Sequence, residues 1–299
     1  MKEAEVAVPT GSGSTSVPVP WVNVGWVLGL LILAYLPILM RMANQWTNDE
    51  DMGHGFFVPV VAGYIAWRRR DELSVTEARP TYIGLLVLLW AIFQMALGIL
   101  GAELFLQRSA FVASVWGAVL FLGGWQFARV LALPLLMLPL MIPIPAVIYN
   151  QITFPLQLFA SAVAENVLLF LGIPVLRDGN VLELANQKLS VVEACSGIRS
   201  LLSLTFLSLV YGYFSEEKLW IRWAIFLASI PIAVAANAFR VSATGVLSEY
   251  NPDLAQGFFH TLEGGVSFGF AFALMLAFHV AVKKIVSWRG SVPTAAQVL

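Results

Sequence analysis

A single cysteine, Cys195, stands at the head of a long apolar run in Val191-Val192-Glu193-Ala194-Cys195-Ser196-Gly197-Ile198-Arg199-Ser200. A thiol is a nucleophile only as the thiolate, and a helix N-terminus with cationic neighbours lowers its pKa. Arg199 follows four residues later, which on a helix is one turn away on the same face. Two more costly side chains border later apolar runs: Arg240, in Asn237-Ala238-Phe239-Arg240-Val241, and His260, in His260-Thr261-Leu262-Glu263-Gly264. These residue types suit acyl transfer. Cys195 attacks a carbonyl, and His260 takes the thiol proton and returns it to the leaving amine. Arg240 donates to the oxyanion, and Arg199 does the same or binds a substrate carboxylate.

Each residue also has a plainer reading. A lone cysteine packs as a small apolar group, Arg240 reaches the lipid headgroups, and His260 is an interfacial hydrogen-bonding residue. Glu263 orients His260 or faces water. His54, in Gly53-His54-Gly55, lines the same site or ends a helix. Arg199 is the hardest to explain structurally, because an ionisable group inside an apolar run is costly in a membrane. Three scattered histidines and one cysteine have no metal-ligand spacing, so neither metal nor cofactor is expected.

Whether these groups meet depends on the elements that carry them. Hydrophobic residues make up 59% of the 299-residue chain and charged residues only 12%, about half the soluble average, so the chain reads as a polytopic helical membrane protein. The net charge of −1, with basic residues scattered at helix ends, gives no sign of nucleic-acid binding. Residues 1–20 read as a disordered cytoplasmic tail, 21–286 as one integral-membrane domain and 287–299 as a second cytoplasmic tail. The run from Trp21 is too long for a signal sequence and lacks a cleavage site, so it is expected to be an uncleaved first span.

Arg68-Arg69-Arg70 sets the orientation, since basic clusters stay in the cytoplasm. The acidic Asn48-Asp49-Glu50-Asp51 loop and His54 then lie outside. Spans are expected near 21–40, 56–67, 82–100, 105–122, 130–142, 196–214, 219–239 and 261–282, about eight in all. Residues 152–171 carry a polar stripe of Gln157, Ser161 and Glu165. If they crossed the membrane in addition to the others, Lys218, Arg222, Lys283, Lys284 and Arg289 would lie outside, so a re-entrant or interfacial helix is expected there. Between 175 and 193 the pattern changes to short β-forming runs around Asp178-Gly179, a hairpin signal. Open sheet edges are excluded from lipid, so a small extracytoplasmic β-meander is expected. The fold class is thus an all-α polytopic membrane protein with that meander. On this topology Cys195, Arg240 and His260 fall near the outer boundary on three successive spans.

The ordered set Glu193-Ala194-Cys195-Ser196-Gly197-Ile198-Arg199-Ser200, Asn237-Ala238-Phe239-Arg240-Val241 and His260-Thr261-Leu262-Glu263-Gly264, with Gly53-His54-Gly55-Phe56 and the triple arginine before it, resembles the exosortase/archaeosortase family of integral-membrane transpeptidases. The resemblance runs from about 22 to 285. It implies a bacterial inner-membrane enzyme, active on the extracytoplasmic side, acting on secreted proteins with a C-terminal PEP-CTERM-like signal (a Pro-Glu-Pro-like motif, a hydrophobic helix and a basic tail). It further implies cleavage near the motif and transfer to an unspecified acceptor nucleophile. The family cysteine, arginine and histidine correspond to Cys195, Arg240 and His260, and Arg199 matches a second family arginine. Membrane lipids are the other expected partners. Two rival functions remain from the residues alone. One is an anion-binding transporter using Arg199, Arg240 and His260, against which stands the lack of an internal repeat. The other is a membrane acyltransferase using the same thiol on lipid.

Overall fold

The computed structural model describes residues 21–185, 188–191, 198–250 and 258–290. Their elements are mostly helical. Helix α1 spans Trp21–Asn48 and is followed by a 3-10 helix, Glu50–Phe56. Next come α2 (Phe57–Arg68), α3 (Arg70–Val75), α4 (Tyr82–Leu100), α5 (Leu104–Val130) and α6 (Ala132–Met137), the last continued as a 3-10 turn over Leu138–Met141. Helix α7 (Ala146–Phe170) leads into strands β1 (Val175–Asp178), β2 (Val181–Leu184) and β3 (Lys188–Ser190). Helices α8 (Ile198–Ser215), α9 (Leu219–Tyr250) and α10 (Phe258–Gly290) complete the described residues.

Six described helices are long and apolar enough to cross a membrane: Val24–Asn48, Tyr82–Leu100, Leu104–Val130, Ala146–Phe170, Leu219–Glu249 and Gly265–Trp288. The chain is a multi-pass membrane protein. The expected spans at 82–100, 105–122 and 219–239 coincide with or lie inside such helices. The 130–142 segment is a shorter apolar helix, Ala132–Met141. Pro134 and Pro139 inside it, with Pro143 and Pro145 just after it, explain the shortening, because each removes a backbone donor and opposes a continuous α-helix. Conversely, α7 has the length of a span, although the sequence suggested a re-entrant or interfacial helix there.

Packing divides the chain into two compact units. One holds the described residues up to Met40 together with Ala62–Pro139. Within it α4 and α5 pack at close range through small residues. A methyl on Gly84 would collide with the Phe121 backbone, and Gly124, at φ +73°, lies against the Arg79 carbonyl. Tyr35 and Ser114 hydroxyls bond at 2.9 Å across α1 and α5. At the end of α2, Arg69 donates to the Val130 carbonyl (3.0 Å) and Arg70 stacks on Trp67.

The other unit, Arg41–Val61 with residues from Leu140 onward, holds every candidate site residue. Its sheet is a meander in the order β1-β2-β3, antiparallel throughout, with Asp178 opposite Val181 and Leu182 opposite Leu189. Gly179 has φ +62°, the left-handed value that the first central position of a type II′ hairpin turn takes. One sheet face buries Leu182, Leu184 and Leu189 against Ala160, Ala164 and Leu168 of α7 and Ala238 and Val241 of α9.

The polar stripe of α7 has a definite partner. Gln157 Oε1 accepts from Asn180 Nδ2 (3.1 Å), Ser161 Oγ donates to the Gly179 carbonyl (3.0 Å), and Glu165 pairs with Arg177 (2.8 Å). Three polar groups spaced one turn apart therefore hold one β-turn. At the far end of α8, Glu216 gathers α10. His279 Nε2 donates to Glu216 Oε1 and accepts at Nδ1 from the Tyr211 hydroxyl, both at 2.7 Å, while Lys283 donates to the same carboxylate oxygen at 2.7 Å. Lys283 holds the Glu216 carboxyl below its usual range; burial opposes this and His279 adds to it. Apolar packing of Leu204, Ile225, Ala233, Ala271 and Met275 joins α8, α9 and α10.

The stripe makes a graded prediction. Ser161 is fully buried, so Ser161→Val orphans its contact with the Gly179 carbonyl and costs about 1–3 kcal/mol. Glu165→Ala removes a partly exposed ion pair and costs under about 1 kcal/mol. Thermal unfolding of both variants in detergent micelles measures the difference.

Candidate active site

The site is built from four elements of one unit. Helix α8 begins at Ile198 and carries Arg199 in its first turn, with 44% of the arginine side chain exposed. Its Nε donates to Asp51 Oδ1 at 3.2 Å. Asp51 lies in the 50–56 helix, and its other oxygen, Oδ2, accepts from the Tyr149 hydroxyl at 2.6 Å. Tyr149 stands in the first turn of α7, after Pro145 has ended the extended approach. The carboxylate thus joins the start of α8 to the start of α7.

The 50–56 helix is held at further points. Asp49 caps it, accepting from the Asp51 amide at 3.0 Å. Trp46 Nε1 donates to the Met141 carbonyl (2.9 Å) and His54 Nε2 to the Leu140 carbonyl (3.1 Å). Both carbonyls belong to the proline-rich segment, where prolines lack the amides that would otherwise engage carbonyls in a helix. Gly55 leaves room for the Trp46 indole, into which any β-carbon would project.

His54 is buried and packs 6.3 Å, centre to centre, from the Phe206 ring. With Nε2 donating, Nδ1 carries the lone pair, and it makes no hydrogen bond of good geometry. Burial pushes the ring below its ordinary pKa, and the nearby Leu140 and Asp51 carbonyls only partly oppose this. Phe206 is seven residues, two helical turns, beyond Arg199. His54 is therefore a buried neutral imidazole bracing the 50–56 helix.

Arg240 sits on α9 and is buried, at 8% exposure. Around it α9 turns polar yet stays buried: Asn237, Ser242, Thr244 and Ser248 are all inside. The three hydroxyls donate back to α9 carbonyls, Ser242 to Ala238, Thr244 to Arg240 and Ser248 to Gly245, at 2.8–2.9 Å. This self-satisfaction lets the helix run on past the expected span end near Phe239 to Tyr250, just before Asn251-Pro252-Asp253. Cys195 lies outside the described residues. His260 and Glu263 lie in the first turns of α10, with their side chains outside the description. Phe239 of α9 stacks on Phe270 of α10 with centroids 4.8 Å apart. His260 is ten residues before Phe270, about 15 Å of helix. The structure thus brings Arg199, Asp51 and Tyr149 together and buries Arg240 on α9.

Asp51 and Tyr149 were not singled out by sequence. The acidic loop carried a signal, since a carboxylate three residues from His54 and on the same expected side as Arg199 is a natural counter-ion. Among the described residues no group of histidine, cysteine and carboxylates has metal-binding geometry.

Arg199 at the start of α8 and Arg240 buried within α9 belong to a mostly helical, multi-pass membrane protein that carries a small sheet. The chain matches the transmembrane exosortase family over residues 46–277, most of its length, and belongs to that family. Exosortases are in general membrane sorting transpeptidases of the cysteine type, acting on secreted proteins with C-terminal sorting signals. No curated protein and no solved structure matches the chain.

The depressed His54 pKa fixes a sign. The unfolded ring takes up a proton near pH 6.5 while the folded ring resists it, so stability falls as pH drops below about 6.5 and is unaffected by this group above it. Thermal unfolding from pH 8 to pH 5 should show a loss that shrinks in His54→Gln.

Proposed function

We propose that this exosortase cleaves C-terminal PEP-CTERM-like signals of secreted proteins through a Cys195 thioester, at the extracytoplasmic face of the bacterial inner membrane. The Cys195 thiolate attacks the scissile carbonyl, and the oxyanion is received by Arg240. The carbon–nitrogen bond breaks as the imidazolium of His260 gives its proton to the leaving amine. An acceptor nucleophile, or water, then loses a proton to His260 and attacks the thioester, releasing the thiolate. Glu263, in the next turn of α10, orients His260.

The observation that supports this most is the buried Arg240. A guanidinium is kept inside a stretch of α9 whose hydroxyls bond to their own backbone, which suits a fixed oxyanion donor better than a headgroup contact. An anion transporter using Arg199, Arg240 and His260 is disfavoured by the lack of an internal sequence repeat. The interfacial reading of α7 also keeps support. Its first turn meets Asp51 through Tyr149, and its last turn leads directly to a sheet that must avoid lipid, so both ends belong toward the outer side. On this reading 21–286 is one integral domain between two cytoplasmic tails. His279, in the Glu216 cluster, is structural.

Co-expression with a tagged secreted protein ending in a Pro-Glu-Pro-type signal tests the reaction. Cys195→Ala, Arg240→Ala and His260→Ala should each leave the tail uncut, while wild type shortens the tagged protein on a gel. Processing by Cys195→Ala at the wild-type rate overturns the thiol mechanism.

A further inference from the structure

We infer that the sorting signal docks on two contiguous surfaces of the unit that holds residues from Leu140 onward. Its extended, proline-containing motif adds a strand beside β1, and its apolar helix lies in a groove between α7 and α9. The inference rests on the reading that the chain acts on C-terminal signals of secreted proteins, and it says where such a signal is held.

Strand β1 is an edge strand of the meander, and no described strand pairs with its free side. Asp178 faces Val181 across the two-residue turn Gly179-Asn180. The pair that closes such a turn is hydrogen-bonded, and bonding alternates along the ladder. Leu176 and Asp178 therefore turn their N–H and C=O groups to β2, and Val175 and Arg177 turn theirs outward. A Pro-x-Pro segment suits this edge. In an extended chain the central residue directs its N–H and C=O to one side, and the two prolines, which lack N–H, both face the other.

The groove opens at the root of β1. Its volume is about 720 Å³, and it is lined by Phe159, Val163 and Leu171 with Ala235, Ala243 and Leu247. Each side covers about 12 residues, or about 18 Å of helix. Phe159, Leu171 and Leu247 are exposed, so the groove is not filled from within. Both helices that form it are long and apolar enough to cross a membrane. A β-carbon on Gly245 would meet the Leu168 side chain at 3.0 Å, which sets this stretch of α9 beside the end of α7 that leads into the sheet. From Leu171 to Val175 the chain spans at most about 14 Å. A lipid chain would fill the groove and leave the strand edge bare. An open strand edge continuous with an apolar groove fits a polypeptide whose extended motif directly precedes an apolar helix.

Photocrosslinking in membranes tests this, using the full-length Cys195→Ala variant, which keeps the signal intact, and a tagged secreted protein ending in a Pro-Glu-Pro-type signal. Benzoylphenylalanine in place of Phe159 should attach to the apolar helix of the signal, and in place of Leu176 to its motif. In place of Leu86, exposed on α4, it should attach to neither. Attachment at Phe159 to lipid alone, attachment at either site to a second copy of the chain, or an exchange of the two patterns overturns the inference. Arg177→Pro removes one outward amide, and Arg177→Ala loses the same ion pair with Glu165 but keeps that amide. The proline variant should therefore show a KM for the tagged protein about fivefold above that of the alanine variant. Equal KM values count against the added strand, and the crosslinks carry the test if Arg177→Pro fails to fold. Tail processing by wild type without either attachment removes the docking and leaves the reaction standing, whereas both attachments with an uncut tail do the reverse.

Discussion

A charged group near a hydrocarbon boundary is tolerated where an opposite charge and good hydrogen bonds accompany it. Asp51 supplies both for Arg199. It does so from a short 3-10 helix rather than from a span, and that helix is in turn fixed by Trp46, His54 and the Asp49 cap. Each fastening uses a carbonyl or amide that irregular backbone would otherwise leave unpaired. The proline-rich segment around 140 and the 50–56 helix satisfy one another, so two irregular stretches stand where regular helices would otherwise be required.

The same economy appears in the sheet. A three-stranded meander with exposed edges has no place in lipid, and here it is carried on α7. Its apolar face packs on Ala160, Ala164 and Leu168, and its turn is held by Gln157, Ser161 and Glu165. Helix α9 closes the arrangement with Ala238 and Val241, the residues that flank Phe239 and Arg240. The sheet is therefore part of what fixes the stretch of α9 that bears the buried arginine. At the opposite end of α8, Glu216 binds His279 and Lys283 of α10, so the helix bearing His260 is tied to the bundle far from the site.

Much of this was legible in the chain. Helix α4 and all three strands were readable because apolar runs and the Asp178-Gly179 turn mark them locally. The family followed from the ordered Cys195, Arg240 and His260 motifs. The helix–sheet docking was not readable, since a stripe at i, i+4, i+8 says which residues share a face but not what that face meets. The Asp51–Arg199 pair was hidden for a similar reason: 148 residues separate its members, and the acidic loop served only to orient the chain. Beyond the apolar part of α9, Ser242, Thr244 and Ser248 lower hydropathy, while their hydroxyls bond within the helix and remain buried. His54 is a buried brace of the 50–56 helix, and Arg199 is a part-exposed cation paired with Asp51 of that same helix.

The central claim, that Cys195 carries the acyl group, is tested most directly by trapping the intermediate. Purified full-length protein is mixed with a tagged protein bearing a Pro-Glu-Pro-type tail, without an acceptor, quenched in acid and digested for mass spectrometry. The account predicts that the Cys195 peptide carries the truncated tagged protein through a bond that neutral hydroxylamine cleaves. A shortened tagged protein with Cys195 unmodified throughout the time course, or an adduct on any other residue, would contradict it.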